Sequence, residues 1–157
     1  MKKLISVLFI GAVAVGFIFR FSDDTSSGFV KPCSTYLIIN HGETQLNLLI
    51  DFLSSQENGT GILTVSGTYF ENNKKIGVMR RLVKYDWVFL NNSYRLSATE
   101  IRKSSRDETL SDKDLELLLP DFFTHIGGKF DLTITSIGDA GYMFSAGVRP
   151  LFFCERT

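Results

Sequence analysis

Residues 61–103 read GILTVSGTYFENNKKIGVMRRLVKYDWVFLNNSYRLSATEIRK, and this stretch decides the fold. Apolar and polar side chains alternate along it in three runs, which is typical of strands that bury one face. The Asn72-Asn73 and Asn91-Asn92 pairs separate the runs, because asparagine tolerates the left-handed backbone of tight hairpin turns. The pattern predicts three strands, 61–70, 76–90 and 94–103, with the inward side chains Leu63, Val65, Tyr69, Met79, Val83, Tyr85, Trp87, Phe89, Tyr94, Leu96 and Ala98.

Five further strand-like runs lie on either side of this stretch. The run before it places Leu46, Leu48, Ile50 and Phe52 on one face, and Asn58-Gly59 is a turn signal between the two. The additional strands are predicted at 34–40, 45–52, 129–137, 142–148 and 151–154.

One segment has helical periodicity instead. Ser111 is a suitable N-cap with Asp114 three residues later, and an apolar stripe follows at Leu115, Leu118, Leu119 and Phe122. Pro120 removes a backbone donor and should break the helix, and Gly127-Gly128 should end it. Asp112, Asp114, Glu116 and Asp121 are interpreted as its solvated face.

About eight mostly antiparallel strands with one helical segment predict a mainly β (α+β) domain, either a barrel or a sandwich. The 157 residues suffice for one domain. The 14 Phe, five Tyr and one Trp indicate either a well-filled core or a lined cavity, and close packing is the usual state of protein interiors.

The N-terminus carries an apolar segment, LISVLFIGAVAVGFIF at 4–19, which follows two lysines and precedes Arg20. It just reaches the roughly 17 residues of a short membrane span when Arg20 extends to the interface. A cleaved signal peptide is the alternative, since Ala12-Val13-Ala14 fits the cleavage pattern. Because cleavage would leave an apolar mature N-terminus, we expect an uncleaved anchor.

The lysines before the anchor should stay in the cytoplasm of a bacterium. The following domain would then lie in the periplasm, outside the inner membrane. The sequence therefore predicts an anchor at 1–21, a polar tether at 22–32 and a periplasmic β-domain at 33–157.

Two cysteines, Cys33 and Cys154, lie near the two ends of this domain. An oxidising compartment favours a disulfide between them, whereas two buried free thiols are the alternative. Such a bridge would tie the last strand to the first. Two cysteines this far apart without a clustered histidine do not indicate a metal site.

Charge and motifs give little sign of catalysis or of nucleic-acid binding. Residues 21–157 hold 14 basic and 17 acidic side chains, a net charge of −3, which disfavours nucleic acid. His41 and His125 lack metal-ligand spacing, and neither a nucleophile elbow nor a phosphate-binding loop is present. We expect a protein without enzymatic activity, cofactor or metal.

Arg81 shares the inward face of its strand with aromatic residues, where an unpaired guanidinium is costly. Either a bulge turns Arg81 outward, or it lies at a rim, or it faces an anionic partner in a lumen. The last alternative suggests a site for an amphipathic acid, such as a bile acid or a fatty acid, lined by Tyr69, Arg81, Tyr85, Trp87, Phe89 and Tyr94.

Several segments together resemble a known family. These are the lysine-led anchor, the cysteine after the tether, GTGILTVSGTYF at 59–70, SYRLSATEIRKSSRDETLSDKD at 93–114 and LFFCERT at 151–157. They resemble the FidL-like membrane proteins of enteric bacteria over nearly the whole chain. That family is similar in layout to the ToxS, PsaF and VtrC periplasmic partners of ToxR-like transmembrane regulators.

The resemblance implies a lipocalin- or calycin-like barrel that pairs in the periplasm with a membrane-anchored transcription factor and protects or activates it. Some pairs of this kind sense bile salts. A stand-alone carrier of lipid or bile acid and a structural envelope protein are the alternatives. A partner could complete an exposed sheet edge by adding a strand.

Overall fold

The computed structural model describes residues 30–55, 59–104 and 106–157. They form a closed barrel in which each strand is antiparallel to the next and the eighth returns to the first. The strands are β1 (Cys33–His41), β2 (Thr44–Ser55), β3 (Thr60–Glu71), β4 (Lys74–Leu90), β5 (Ser93–Lys103), β6 (Lys129–Ile137), β7 (Gly141–Ala146) and β8 (Arg149–Arg156). The prediction of a mainly β domain with about eight strands is confirmed, and the barrel replaces the sandwich alternative.

Tight turns join the central strands as the asparagine pairs predict. Asn72, Asn73, Asn91 and Asn92 all have positive φ, the left-handed conformation that asparagine tolerates best after glycine. Register shifts interrupt the ladders at three points in this region, at Phe52/Ser54, Tyr69/Phe70 and Lys84/Tyr85. These irregularities bend the strands, which helps a sheet to curl into a barrel.

The alternating side chains fill the barrel interior. The predicted inward residues of β2 and most of those of β3, β4 and β5 are buried, whereas Trp87 and Tyr94 are only partly buried and Phe89 is exposed. Phe52, Phe144 and Phe152 stack against one another, with ring centroids 4.9 Å apart for the first two and 4.7 Å for the last two. Much of the aromatic content is therefore core packing.

The helical segment is shorter than its apolar stripe suggests. Helix α1 covers only Asp112–Leu115, and a single 3-10 turn covers Asp121–Phe123 after Pro120. Ser111 and Asp114 form the predicted capping box. The segment lies between β5 and β6, which share only four residue pairs, and buried Leu115, Leu119, Phe122 and Phe123 cover the core there.

Strand directions alternate around the barrel, so its connections lie at two ends. We call one of these ends the tether end. It holds the first residue of β1, the last residue of β8 and the β2–β3, β4–β5 and β6–β7 connections. The opposite end holds the β1–β2, β3–β4 and β7–β8 turns and the 104–128 connection. Val30, where the described chain begins, is buried at the tether end and belongs to the same hydrophobic core as Cys33.

The predicted disulfide is confirmed. Cys33 and Cys154 are bonded, with an S–S distance of 2.06 Å and a Cα–Cα distance of 5.5 Å, and both are buried. The bond joins β1 to β8 across 121 residues of sequence.

Several predictions fall outside the described residues. The anchor at 1–21, most of the tether at 22–32 and Asn58 of the predicted Asn58-Gly59 turn are among them. In the described portion, no helix combines the length and the apolar character that a membrane crossing requires.

Candidate functional site

Arg81 lies inside the barrel in the middle of β4. Its pairing with Val65 on β3 and with Lys103 on β5 belongs to an unshifted register, so no bulge turns it outward. Its side chain is fully buried. The bulge and rim alternatives for Arg81 are therefore wrong, and the inward orientation given by strict alternation is correct.

The guanidinium of Arg81 is held by groups of the same chain. Its Nε donates to Glu108 Oε1 at 2.9 Å, and Nη2 makes a further short contact with the same oxygen. Its Nη1 donates to the carbonyl oxygen of Phe123 at 2.9 Å and lies 2.7 Å from Asp112 Oδ1. Because Glu108 is also almost fully buried, the pair is shielded from water and from salt.

Asp112 links this buried pair to the surface. Its Oδ2 accepts a hydrogen bond from Lys103 Nζ at 2.5 Å. Burial alone would raise the pKa of Asp112, but the hydrogen bonds and charges of Lys103 and Arg81 lower the pKa below its usual value. Asp112 is thus an ion-pair partner of Arg81, and its interpretation as part of a solvated helix face is wrong.

Hydrogen bonds also fasten Ser104, Glu108 and Thr109 to β4 beyond the end of β5. The Ser104 amide donates to the Arg80 carbonyl, and the Thr109 amide donates to the Val78 carbonyl at 3.0 Å. In return, Thr109 Oγ1 accepts from the Val78 amide and Glu108 Oε2 from the Arg80 amide. Side chains of this segment therefore satisfy backbone donors that a neighbouring strand would otherwise take.

The six residues predicted to line a ligand site lie at different levels of the barrel. Tyr69 is paired with Gly77 near one end of β4, whereas Phe89 is paired with Tyr94 at the other, about 40 Å away along the strand. Tyr94 contacts the rings of both Trp87 and Phe89. The structure therefore groups these three aromatic residues at the tether end, away from Tyr69 and Arg81.

Tyr85 lies between these two levels and is packed into the core. Its ring edge meets the ring of Phe122, with centroids 5.8 Å apart, and it covers Gly61 so closely that a Cβ there would come within 2.3 Å of it. Burial raises the pKa of the Tyr85 hydroxyl well above its ordinary value. Tyr85 therefore stays neutral and acts here as a packing residue.

A second feature is an incomplete closure between the first and last strands. Among the described residues, the pairing of β1 with β8 consists of Cys33 with Arg156 and Ser34 with Glu155. Beyond this, the facing edges of β1 and β8 run on without pairing to each other. We call this region the β1–β8 seam and define it by Thr35–His41 and Arg149–Cys154.

Apolar side chains are exposed on both sides of the seam. Continuing the register would place Tyr36 opposite Phe153 and Ile38 opposite Leu151. These four side chains have exposed fractions of 62%, 38%, 53% and 41%, respectively. An unpaired strand edge flanked by apolar side chains is a typical template for an added strand.

The described residues contain no candidate metal site. No group of three histidine, cysteine, aspartate or glutamate side chains within the described residues is arranged to hold a metal ion. His125 lies next to Thr124 Oγ1 and Glu116 on the surface. The carboxylates of Glu108 and Asp112 are paired with Arg81.

Comparison with known proteins identifies the family of this chain. The model of the YqeJ C-terminal domain matches residues 30–154, which include all of the barrel except the last two residues of β8. The chain belongs to this family. It is also similar to "Uncharacterized protein YqeJ" of Escherichia coli (strain K12), with 27% identity over 126 residues, 80% of this chain and 79% of that protein.

Sequence reasoning missed two parts of this arrangement. Glu108 stands beside the Asp107 and Thr109 of the motif before the helix, yet nothing in its spacing indicates a contact with Arg81, 27 residues earlier. The requirement that a buried guanidinium find a carboxylate was the available signal. The β1–β8 seam has no sequence signal other than the apolar residues on both faces of the two strands.

Proposed function

We propose that this protein is a non-enzymatic accessory protein of the bacterial inner membrane. Its barrel, of lipocalin- or calycin-like type, binds the periplasmic domain of a membrane-anchored, ToxR-like transcriptional regulator and stabilises or modulates it. The resemblance to FidL-like proteins and to ToxS-type partners supports this role. The apolar segment at 4–19 supports the anchor and the periplasmic location.

The β1–β8 seam is the observation that carries the proposal. A strand from the regulator would pair with the free edge of β1 or β8 and cover the apolar side chains beside it. The disulfide and the stacked phenylalanines behind the seam hold the two edges in place, so little ordering is needed on binding. Anchoring of both proteins in one membrane raises their effective concentration, so a modest affinity suffices.

Site-specific cross-linking tests this directly. A photoreactive phenylalanine analogue is placed at Tyr36 or Phe153 in the full chain, and at Leu117 as the control, since Leu117 is exposed and lies outside the seam, between β5 and β6. We expect the two seam positions to capture a protein that mass spectrometry identifies as having a winged-helix domain, one membrane span and a periplasmic tail. Capture from Leu117 alone, or no such protein from either seam position, contradicts the proposal.

Charged substitutions at the seam provide a second test. Tyr36→Lys with Ile38→Lys should abolish co-purification of the regulator from membranes, because lysine on an edge strand opposes strand addition. Leu117→Lys with Ile126→Lys is the matched control, at exposed apolar residues outside the seam, and should leave the yield unchanged. Both changes alter exposed side chains, so equal circular dichroism spectra will exclude unfolding as the cause.

Sensing of a bile acid or a fatty acid remains a prediction. An anionic ligand that reached Arg81 would have to displace Glu108 or Asp112 from the guanidinium. Titration of the protein with either ligand, followed by Trp87 fluorescence, should give a saturable change that Arg81→Ala removes. No change in fluorescence would leave the accessory role standing without a ligand.

A further inference from the structure

The β4–β5 hairpin tip exposes an apolar surface at the tether end of the barrel. Val88, Phe89 and Leu90 have exposed fractions of 49%, 53% and 54%. Three consecutive residues of a strand point to alternate faces, so both faces of this strand end are apolar. Ile137, at the neighbouring β6–β7 turn, is exposed as well.

The tip differs from the rest of β4 because its three consecutive exposed residues are all apolar. Elsewhere on the outer face of β4, the apolar residues Ile76, Val78 and Leu82 are interspersed with Arg80, Lys84 and Asp86. Val88 and Leu90 then continue the same outward row, and beside them Phe89 contacts Tyr94, which also contacts Trp87. Rings of this kind are enriched where one end of a side chain meets lipid and the other meets water.

A charged pair lies just behind the apolar tip. Val88 is paired with Arg95, and Arg95 forms a two-pronged ion pair with Asp131 at 2.7 and 2.8 Å. An apolar tip next to a paired arginine and aspartate fits the boundary between acyl chains and headgroups. Because these charges are neutralised internally, the apolar tip rather than net charge would provide the attraction.

With the proposed anchor in a membrane, the short N-terminal chain would hold this end of the barrel close to lipid. Only residues 20–29 separate the apolar segment 4–19 from Val30, and ten residues span at most about 36 Å. Val30 enters the barrel at the same end as the β4–β5 hairpin, because alternating strands place both there. The geometry points to a specific contact: the tip formed by Val88, Phe89 and Leu90 docks into the lipid interface of the membrane that holds the anchor.

This docking rests on the proposed function only through the anchor. It would fix the orientation of the barrel, with the tether end against the bilayer and the opposite end away from it. The seam would then stand roughly upright on the membrane, at a fixed height for a partner anchored in the same bilayer. For an anchored barrel, a weak affinity of the tip for lipid is enough, because the tether already keeps the barrel near the membrane surface.

The single tryptophan of the chain, Trp87, reports on this contact. The full chain is reconstituted into phosphatidylcholine vesicles whose acyl chains carry bromine, which quenches tryptophan on contact. We expect Trp87 to lose most of its emission compared with unbrominated vesicles. Phe89→Ser with Leu90→Ser should restore the emission, whereas the matched pair Leu117→Ser with Val148→Ser, exposed apolar residues at the opposite end, should not.

A relocated reporter and a salt series complete the test. Trp87→Phe with Val148→Trp should remain bright in brominated vesicles, because the opposite end faces away from lipid. Quenching of Trp87 should persist at high salt, since the contact is apolar. Equal quenching of both reporters, or loss of the Trp87 quenching in salt, would overturn the inference.

The failure of this inference is distinguishable from failure of the proposed function. A chain that floats with the vesicles while Trp87 stays bright contradicts the docking and leaves the anchor intact. A chain that does not float contradicts the anchor and the docking together. Quenched Trp87 with no regulator captured at Tyr36 or Phe153 supports the docking and contradicts only the accessory role.

Discussion

Removal of the Glu108 carboxylate is the most informative perturbation of this barrel. Glu108→Ala would leave the fully buried guanidinium of Arg81 with only Asp112 and one carbonyl oxygen. Breaking a buried ion pair on one side costs about 3–5 kcal/mol, because the remaining buried charge is not hydrated and keeps only part of its compensation. A domain of this size has a free energy of unfolding of about 5–15 kcal/mol, so the loss is a large part of the total.

Urea unfolding of the full chain in a mild detergent, followed by circular dichroism, measures this effect. With a slope of about 1–3 kcal/mol per molar urea, the midpoint should fall by about 2 M. Glu116→Ala is the matched control, since that carboxylate is exposed and lies 3.5 Å from the exposed His125, and its effect should stay below about 1 kcal/mol. Arg81→Met with Glu108→Leu should recover most of the stability, because the double change removes both members of the buried pair and Asp112 keeps its ion pair with Lys103.

The amide of Arg80 provides a local readout of the same change. Its hydrogen bond to Glu108 Oε2 is lost in Glu108→Ala, whereas the bond from the Val78 amide to Thr109 Oγ1 is not directly removed. Hydrogen exchange should accelerate at Arg80 more than at Val78. A Glu108→Ala variant within about 1 kcal/mol of the native chain, or a double variant less stable than the single one, would refute the reasoning.

Three further outcomes follow from the same structure. Cys33→Ala with Cys154→Ala should lower the free energy of unfolding by about 5 kcal/mol in the loop-closure model, measured as the shift in urea midpoint against the oxidised chain. Gly61→Ala should cost about 1–3 kcal/mol because its Cβ overlaps the Tyr85 ring, and Tyr85→Leu in the same chain should reduce that cost in thermal melts. The pKa of Asp112 is lower in the folded than in the unfolded chain, so its ionised form stabilises the fold. This stability is present above the ordinary aspartate pKa of about 3.9 and is lost as the pH falls through the lower folded pKa. Asp112→Asn should therefore make the free energy of unfolding less dependent on pH in this acid range.

The sequence by itself determined the strands and their turns. Alternation of apolar and polar residues is a local property with a period of two, and it gave the inward faces of β2 and β3 correctly. The Asn72-Asn73 and Asn91-Asn92 turns depend on the backbone preference of asparagine alone. The Ser111 capping box is likewise contained within four residues, so neighbouring residues suffice to predict it.

The tertiary structure alone decided how these strands meet. Arg81 finds Glu108 and Asp112 only because the chain after β5 folds back along β4, a contact that no local pattern encodes. The length of the β1–β8 seam depends on how far two strands from opposite ends of the chain stay in register. The summed twist, bulges and stagger of all eight strands set the position at which the barrel ends. That position decides which apolar residues of the β4–β5 tip remain exposed. These quantities arise from long-range packing, which is why residue order alone leaves them open.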